Sequence, residues 1–236
     1  MIDVNSLKTY IQNIANIEQS GNKVTPDMYN DWLDKGIIDA INRRIGIPEQ
    51  YQVGMPLPKQ AYEISSKITN DLLEIKKIVN ITVDAEGKAP LPTDFLYHSA
   101  TRFRYVLNQN CGNPIISEKK VEIVDDTQLP FLLNNSIKAP TKKYPIATFQ
   151  NPYLQCYPSD LKEIKFTYLC YPKKPFWGYT IDKDDNVIYD PTKSVHIELP
   201  YSMVTMLAGI ILGYLGINLR EAELENYSQK IKVQGE

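Results

Sequence analysis

Along the first third of the chain, apolar residues recur at steps of three and four. Leu7, Tyr10, Ile11, Ile14 and Ile17 form one such stripe, which predicts an amphipathic helix ended by Ser20-Gly21-Asn22. Thr25-Pro26-Asp27 then offers a capping hydroxyl, a proline for the first helical position and an acid for the first turn. Trp32, Ile37, Ile38, Ile41 and Ile45 carry the stripe of this second helix to Gly46 and Pro48. The stretch Gln50 to Pro58 reads as a loop. A third helix is expected from about Lys59 to Lys77, on Ala61, Ile64, Ile68, Leu72 and Ile75.

The period then changes to two. Val79, Ile81 and Val83 alternate with Asn80, Thr82 and Asp84, and Glu86-Gly87 makes a turn, so strands begin here. The middle is rich in proline and aromatic residues. Ile164, Phe166, Tyr168 and Cys170 share one face of a further strand, and Asp184-Asp185-Asn186 predicts a hairpin between Tyr179-Thr180-Ile181 and Val187-Ile188-Tyr189.

From Leu199 to Leu219 no residue is charged. Pro200 opens this helix and Gly216 is expected to end it. A bilayer core of roughly 30 Å asks for ~20 apolar residues, and the run from Met203 to Ile217 is shorter and interrupted by glycines, which favours a helix buried in protein. A polar helical segment from Leu219 to Lys232 follows, acidic early and basic late.

Together these patterns predict an α+β fold. Residues 1–78 and 199–236 would form a helical bundle, and 79–198 an inserted small antiparallel β-sheet or sandwich with a loop-rich insertion around 111–140. At 236 residues and 43% apolar composition the chain can bury a core without metals or disulfides. The three cysteines, Cys111, Cys156 and Cys170, are widely spaced and suit reduced thiols. Residues Met1 to Asn5 lack the basic-then-apolar order of a secretory signal.

Charge excludes more than it suggests. With 26 Lys and Arg against 28 Asp and Glu, the net charge is -2, too little field to draw the chain onto phosphate backbone or acidic lipid. The doublets Lys119-Lys120, Lys142-Lys143 and Lys173-Lys174 read as solvated loop charge. His98 and His196 are isolated, and the sequence has no Walker A loop, no G-x-G-x-x-G and no G-x-S-x-G. Asp182, Asp184 and Asn186 have the spacing of a calcium loop, but Val187 stands where glycine is needed and Lys193 where the acid is needed. Asp125-Asp126, adjacent on a strand, would face opposite sides. The expectation is therefore no enzyme, no metal and no cofactor.

The order of segments resembles a known family. A helical bundle, a strand, Leu91-Pro92-Thr93-Asp94-Phe95, a Tyr/Pro-rich sheet and an apolar carboxy-terminal helix are similar to the head-to-tail adaptor, or tail tubular, proteins of short-tailed phages. The family's LPxDF-like motif stands here at Leu91, Pro92, Asp94 and Phe95. Tyr144-Pro145-Ile146, Cys156-Tyr157-Pro158 and Tyr168-Leu169-Cys170-Tyr171-Pro172 match its Tyr-Pro pattern. With its Ile, Asn, Lys and Tyr bias, the chain looks closest to the ring proteins of crAss-like phages. The stretch Cys111 to Pro140 departs from that pattern and suggests a docking loop or a small helix.

The resemblance implies a virion structural protein: a ring of twelve copies below the portal protein, touching other connector or tail proteins. Genomic DNA would pass through its lumen without specific binding, and no membrane is involved. Phe131, Leu132, Leu133, Phe176 and Trp177 are the candidate subunit-interface anchors, as aromatic and Leu clusters in loops. Two alternatives stay open from residues alone: a glycan-binding β-sandwich using Trp177, and a tail-anchored membrane protein.

Overall fold

The computed structural model describes residues 1–15, 24–46, 69–107 and 115–219. It is a mixed α+β protein with small, mainly antiparallel sheets. The chain divides into two compact units, Met1–Ile75 with Pro172–Glu236, and Lys76–Tyr171. Residues 172–198 thus belong with the helices.

In the first unit, helix α1 spans Val4–Ala15 and α2 spans Pro26–Gly46. Both starts are capped by side chains. Asp3 Oδ2 accepts the Ser6 amide and hydroxyl at 2.7 Å each, and Thr25 Oγ1 accepts the Met28 amide at 3.3 Å, as the Thr-Pro-Asp signature predicts. On α1 the buried face is Val4, Leu7 and Ile11, while Tyr10 points outward. On α2 it is Tyr29, Asn30, Leu33, Ile37, Ala40 and Ile41, a stripe rotated from the expected one so that Ile45 is exposed.

The charge-free segment forms helix α4, Val204–Leu219, after a 3-10 turn over Tyr201–Met203. It runs through Gly216 instead of ending there. Every residue from Leu207 to Gly213 is buried, which explains why no position carries a charge. Among the described residues no helix is long and apolar enough to cross a membrane. Gly36 of α2 sits against this helix, where a Cβ would stand 3.3 Å from Leu207 Cδ1 and 3.4 Å from Ile211 Cγ1, so a small residue there permits close approach.

Of the expected third helix, 59–68 lie outside the described residues. Its described end is helical over 69–71 and passes into a 3-10 turn, Leu73–Ile75, but Lys76 and Lys77 already belong to a strand. Pairing along a full strand overrides their helical propensity. Asp71 is buried beside this turn, ion-paired to Arg44 and accepting the Ser202 hydroxyl at 2.7 Å, so the charge enters the interior with its partners. The polar segment after Leu219 lies outside the described residues.

The second unit holds two four-stranded sheets. Strands β1 (Lys76–Thr82), β3 (Phe95–Leu107), β4 (Ile115–Lys120) and β8 (Glu163–Cys170) form one sheet in the order β1-β8-β3-β4, antiparallel throughout. Strands β2 (Lys88–Pro90), β5 (Glu122–Ile123), β6 (Ile146–Gln150) and β7 (Tyr153–Tyr157) form the other, in the order β2-β7-β6-β5, with β5 parallel to β6. The shared face of Ile164, Phe166, Tyr168 and Cys170 is buried, as the alternation predicts. Within the stretch read as a loop-rich insertion, residues 115–123 supply two sheet strands, and Leu129–Leu133 is a short helix, α3.

The Glu86-Gly87 turn shows how tightly this unit is joined. Gly87 has φ +84°, its amide donates to Asp84 O at 3.1 Å, and its carbonyl accepts the Cys156 amide at 2.7 Å. A Cβ at this position would lie 2.7 Å from the Cys156 carbonyl oxygen. Gly87→Ala therefore combines a disfavoured backbone with a clash, and a loss of about 2 kcal/mol or more is expected in urea denaturation.

Candidate functional site

The residues singled out from sequence separate into three groups: a corner inside the β unit, an aromatic cluster beside the helices, and an exposed arm.

The corner is Leu91-Pro92-Thr93-Asp94-Phe95, between β2 and β3. The Leu91 amide donates to Pro152 O at 3.1 Å, and the Phe95 amide closes the turn on Pro92 O at 3.2 Å. Asp94 carries three bonds. Its Oδ1 accepts the Tyr168 hydroxyl at 2.8 Å, its Oδ2 accepts Lys77 Nζ at 2.6 Å, and its backbone carbonyl accepts the Tyr171 amide at 2.8 Å. Strand β3 is thereby tied to β1 and β8 at one residue. Phe95 stacks on Phe149 at 5.8 Å and lies 5.7 Å from Phe166 and 6.1 Å from Tyr168, which joins the two sheets. The motif holds the unit together.

Lys77 and then Tyr168, both bonded to it, hold the Asp94 carboxyl below the ordinary carboxylate range. Burial first, and the Asp94 bond second, push the Tyr168 hydroxyl up to about 12. His98 packs 5.5 Å from both Phe149 and Phe166, with Nε2 2.9 Å from Thr101 Oγ1. Burial and then Lys120 lower its pKa, so it is a packing residue in the neutral state. Burial pushes the Cys156 thiol up to about 11, which keeps it unreactive.

The aromatic cluster centres on Trp177, which is only 4% exposed. Asn30 grips its backbone: Oδ1 accepts the Trp177 amide at 2.7 Å, and Nδ2 donates to its carbonyl at 3.4 Å. Nε1 donates to Asn5 Oδ1 at 3.0 Å, and Lys8 Nζ lies 3.1 Å from the ring centroid. Burial pushes the Lys8 ammonium down to about 8, and the indole face works against that shift. Strands β9 (Tyr179–Ile181) and β10 (Val187–Tyr189) form the expected hairpin, a two-stranded sheet among the described residues. Tyr179 and Tyr189 stack on Trp177 at 6.0 and 5.7 Å. Trp177 is thus filled on its faces and edge by its own unit, and does not stand out as a surface anchor. Its neighbour Phe176 is partly exposed and bridges Val195 through two backbone bonds of 3.1 and 2.8 Å.

The calcium-like loop is the turn of this hairpin. The Asp182 amide donates to Asn186 O at 3.0 Å, and Asp185 takes φ +57°, the left-handed conformation that such turns require. Among the described residues no group of three or more His, Cys, Asp or Glu side chains comes together to hold a metal.

The exposed arm follows β5. Phe131 is 78% exposed, Leu133 is exposed and Leu132 half-buried, and Ile137 further along is 91% exposed. Tyr144 ends the arm, with Lys119 and Lys143 5.4 and 5.5 Å from its ring centroid. Asp126, at its start, accepts the Thr148 hydroxyl at 2.7 Å.

No protein-family model and no curated protein matches this chain.

Among the described residues, a polar depression of about 130 Å³ lies on the β1-β8-β3-β4 sheet. Asn80, Arg102, Phe103, Arg104, Glu118, Glu163 and Lys165 line it. Glu118 lies 3.3 Å from Lys165 and 3.6 Å from Arg102, and Lys165 foremost lowers its pKa. A general acid needs the opposite shift. Three lysines of the doublets are ion-paired: Lys142 with Asp160, Lys173 with Glu198 at 2.9 Å and Lys174 with Asp34 at 3.1 Å. His196 Nδ1 lies 3.1 Å from Asp3 Oδ1.

Two outcomes follow. Asp94 is lowered in the folded state, so its contribution is complete above about pH 4 and fades as pH falls through the native value. Asp94→Asn should cost about 2 kcal/mol at pH 7, and the gap to wild type should close in acid denaturation series. In a Trp32→Phe background, Trp177 emission should resist acrylamide quenching and stay unchanged on adding polysaccharide. Strong quenching would reopen the glycan reading.

Proposed function

We propose that this protein is a non-catalytic structural subunit of a phage head-to-tail connector, assembling into a ring of twelve copies below the portal. The observation that carries the reading is the exposed apolar arm, where Phe131 is 78% and Ile137 91% exposed, with Leu133 and Tyr144 exposed beside them. Exposed apolar clusters of this kind mark surfaces that a partner covers. The order of segments and the Leu91–Phe95 corner add support, since they resemble the short-tailed phage adaptors. In that family's arrangement the helices near both ends form a bundle and the β unit is inserted between them.

A ring closed by rotation needs two different complementary surfaces on each subunit. Phe131, Leu132, Leu133 and Phe176 are the interface anchors in this reading, and Trp177 supports from inside. The portal protein and tail proteins are the neighbours along the axis, and genomic DNA moves through the lumen. A net charge of -2 suits a wall that does not grip phosphate.

The decisive measurement is quantitative mass spectrometry of purified particles. The protein should be present at the copy number of the portal. Its absence from particles would end this reading. Phe131→Asp should leave unfolding free energy within about 0.5 kcal/mol of wild type, because the side chain is exposed, while abolishing the ring in sedimentation and micrographs.

A further inference from the structure

We propose that the β9–β10 hairpin tip of one copy docks on the Leu129–Tyr144 arm of the next copy. This rests on the ring reading above and names its two complementary surfaces.

The hairpin uses only half of its apolar face. Tyr179 and Tyr189, a cross-strand pair, lie on Trp177. The next pair on the same face, two residues further out, is Ile181 and Val187, directly opposed in the register. They are 63% and 44% exposed, so the face that begins in the core continues into solvent. A hairpin of two three-residue strands is marginal without a surface to lie on, and its outer half lacks one.

Charge identifies what covers it. Residues 179–189 contain three aspartates and one lysine. Among the described residues, no cation lies within ion-pair distance of Asp182, Asp184 or Asp185. Residues 127–144, which carry the other exposed apolar cluster, contain Lys138, Lys142 and Lys143 and no acid. Lys142 is paired with Asp160, whereas Lys138 and Lys143 have no carboxylate partner among the described residues. One patch is apolar with unanswered negative charge, the other apolar with unanswered positive charge. Opposed charge around an apolar centre is what sets partner and register at a heterologous contact. The occupant is therefore a second copy of this chain.

Full-length protein labelled with nitrogen-15 and unlabelled protein are mixed at about 1 mM and coupled with a zero-length carbodiimide, which joins carboxylates to amines. Mixed-isotope peptides joining Asp182, Asp184 or Asp185 to Lys138 or Lys143 are expected. Association is then measured by sedimentation for Asp184→Lys, for Lys138→Glu with Lys143→Glu, and for all three together. Each one-sided reversal should weaken association about tenfold or more, and the combined variant should return to within about threefold of wild type. Two results overturn the contact while leaving the ring: assembly insensitive to both reversals, or cross-links at these residues only within one isotope. Wild type that stays monomeric at about 1 mM overturns both the contact and self-assembly of the ring. The substituted side chains are exposed, and unchanged circular dichroism of the monomers shows that folding is not what the reversals alter.

Discussion

An aromatic ring that carries a hydrogen-bonding group can enter a core only if that group finds a partner there, and both units are organised by this constraint. In the β unit the Tyr168 hydroxyl enters the interior with Asp94, whose second oxygen takes Lys77. In the helical unit the indole of Trp177 enters with Asn5, and its backbone with Asn30. Tyr29 follows the same rule by donating to Val4 O at 3.1 Å. Each partner comes from a different element, so satisfying one polar group fixes the relative place of two or three segments.

Once the rings are placed, the surface divides unevenly. Apolar groups left outside include two local sets, the arm around Phe131 and Ile137 and the outer half of the β9–β10 hairpin. The polar depression on the sheet is instead occupied by mutually neutralising side chains, with Glu118 shared between Lys165 and Arg102. Under the proposed connector role, these exposed apolar groups are the ones that neighbouring copies cover.

Features governed by neighbours in the chain were legible. The Thr25 cap, the Glu86-Gly87 turn, the 179–189 hairpin and the buried alternation of Ile164, Phe166, Tyr168 and Cys170 each depend on residues within a few positions. Features governed by distant partners were not. Lys76 and Lys77 look helical until β8 lies beside them, and Glu122-Ile123 becomes a strand only through its parallel pairing with β6. Trp177 looked like a surface anchor, because nothing adjacent announces that Asn30, 147 positions away, holds its backbone. Asp3, three residues before Ser6, is a cap signal of the same local kind as Thr25.

By itself the sequence determined the α+β class, the helical period of α1 and α2, the alternation of Ile164 to Cys170, the turns at Glu86-Gly87 and 182–186 and the burial of the charge-free helix. Those follow from local sterics and from the cost of leaving apolar stripes in water. Tertiary structure alone decided which stripe residues face inward, which aromatic groups are enclosed and which apolar groups are left over. Burial of a side chain is a property of everything that surrounds it, and a linear sequence does not say which segments will meet.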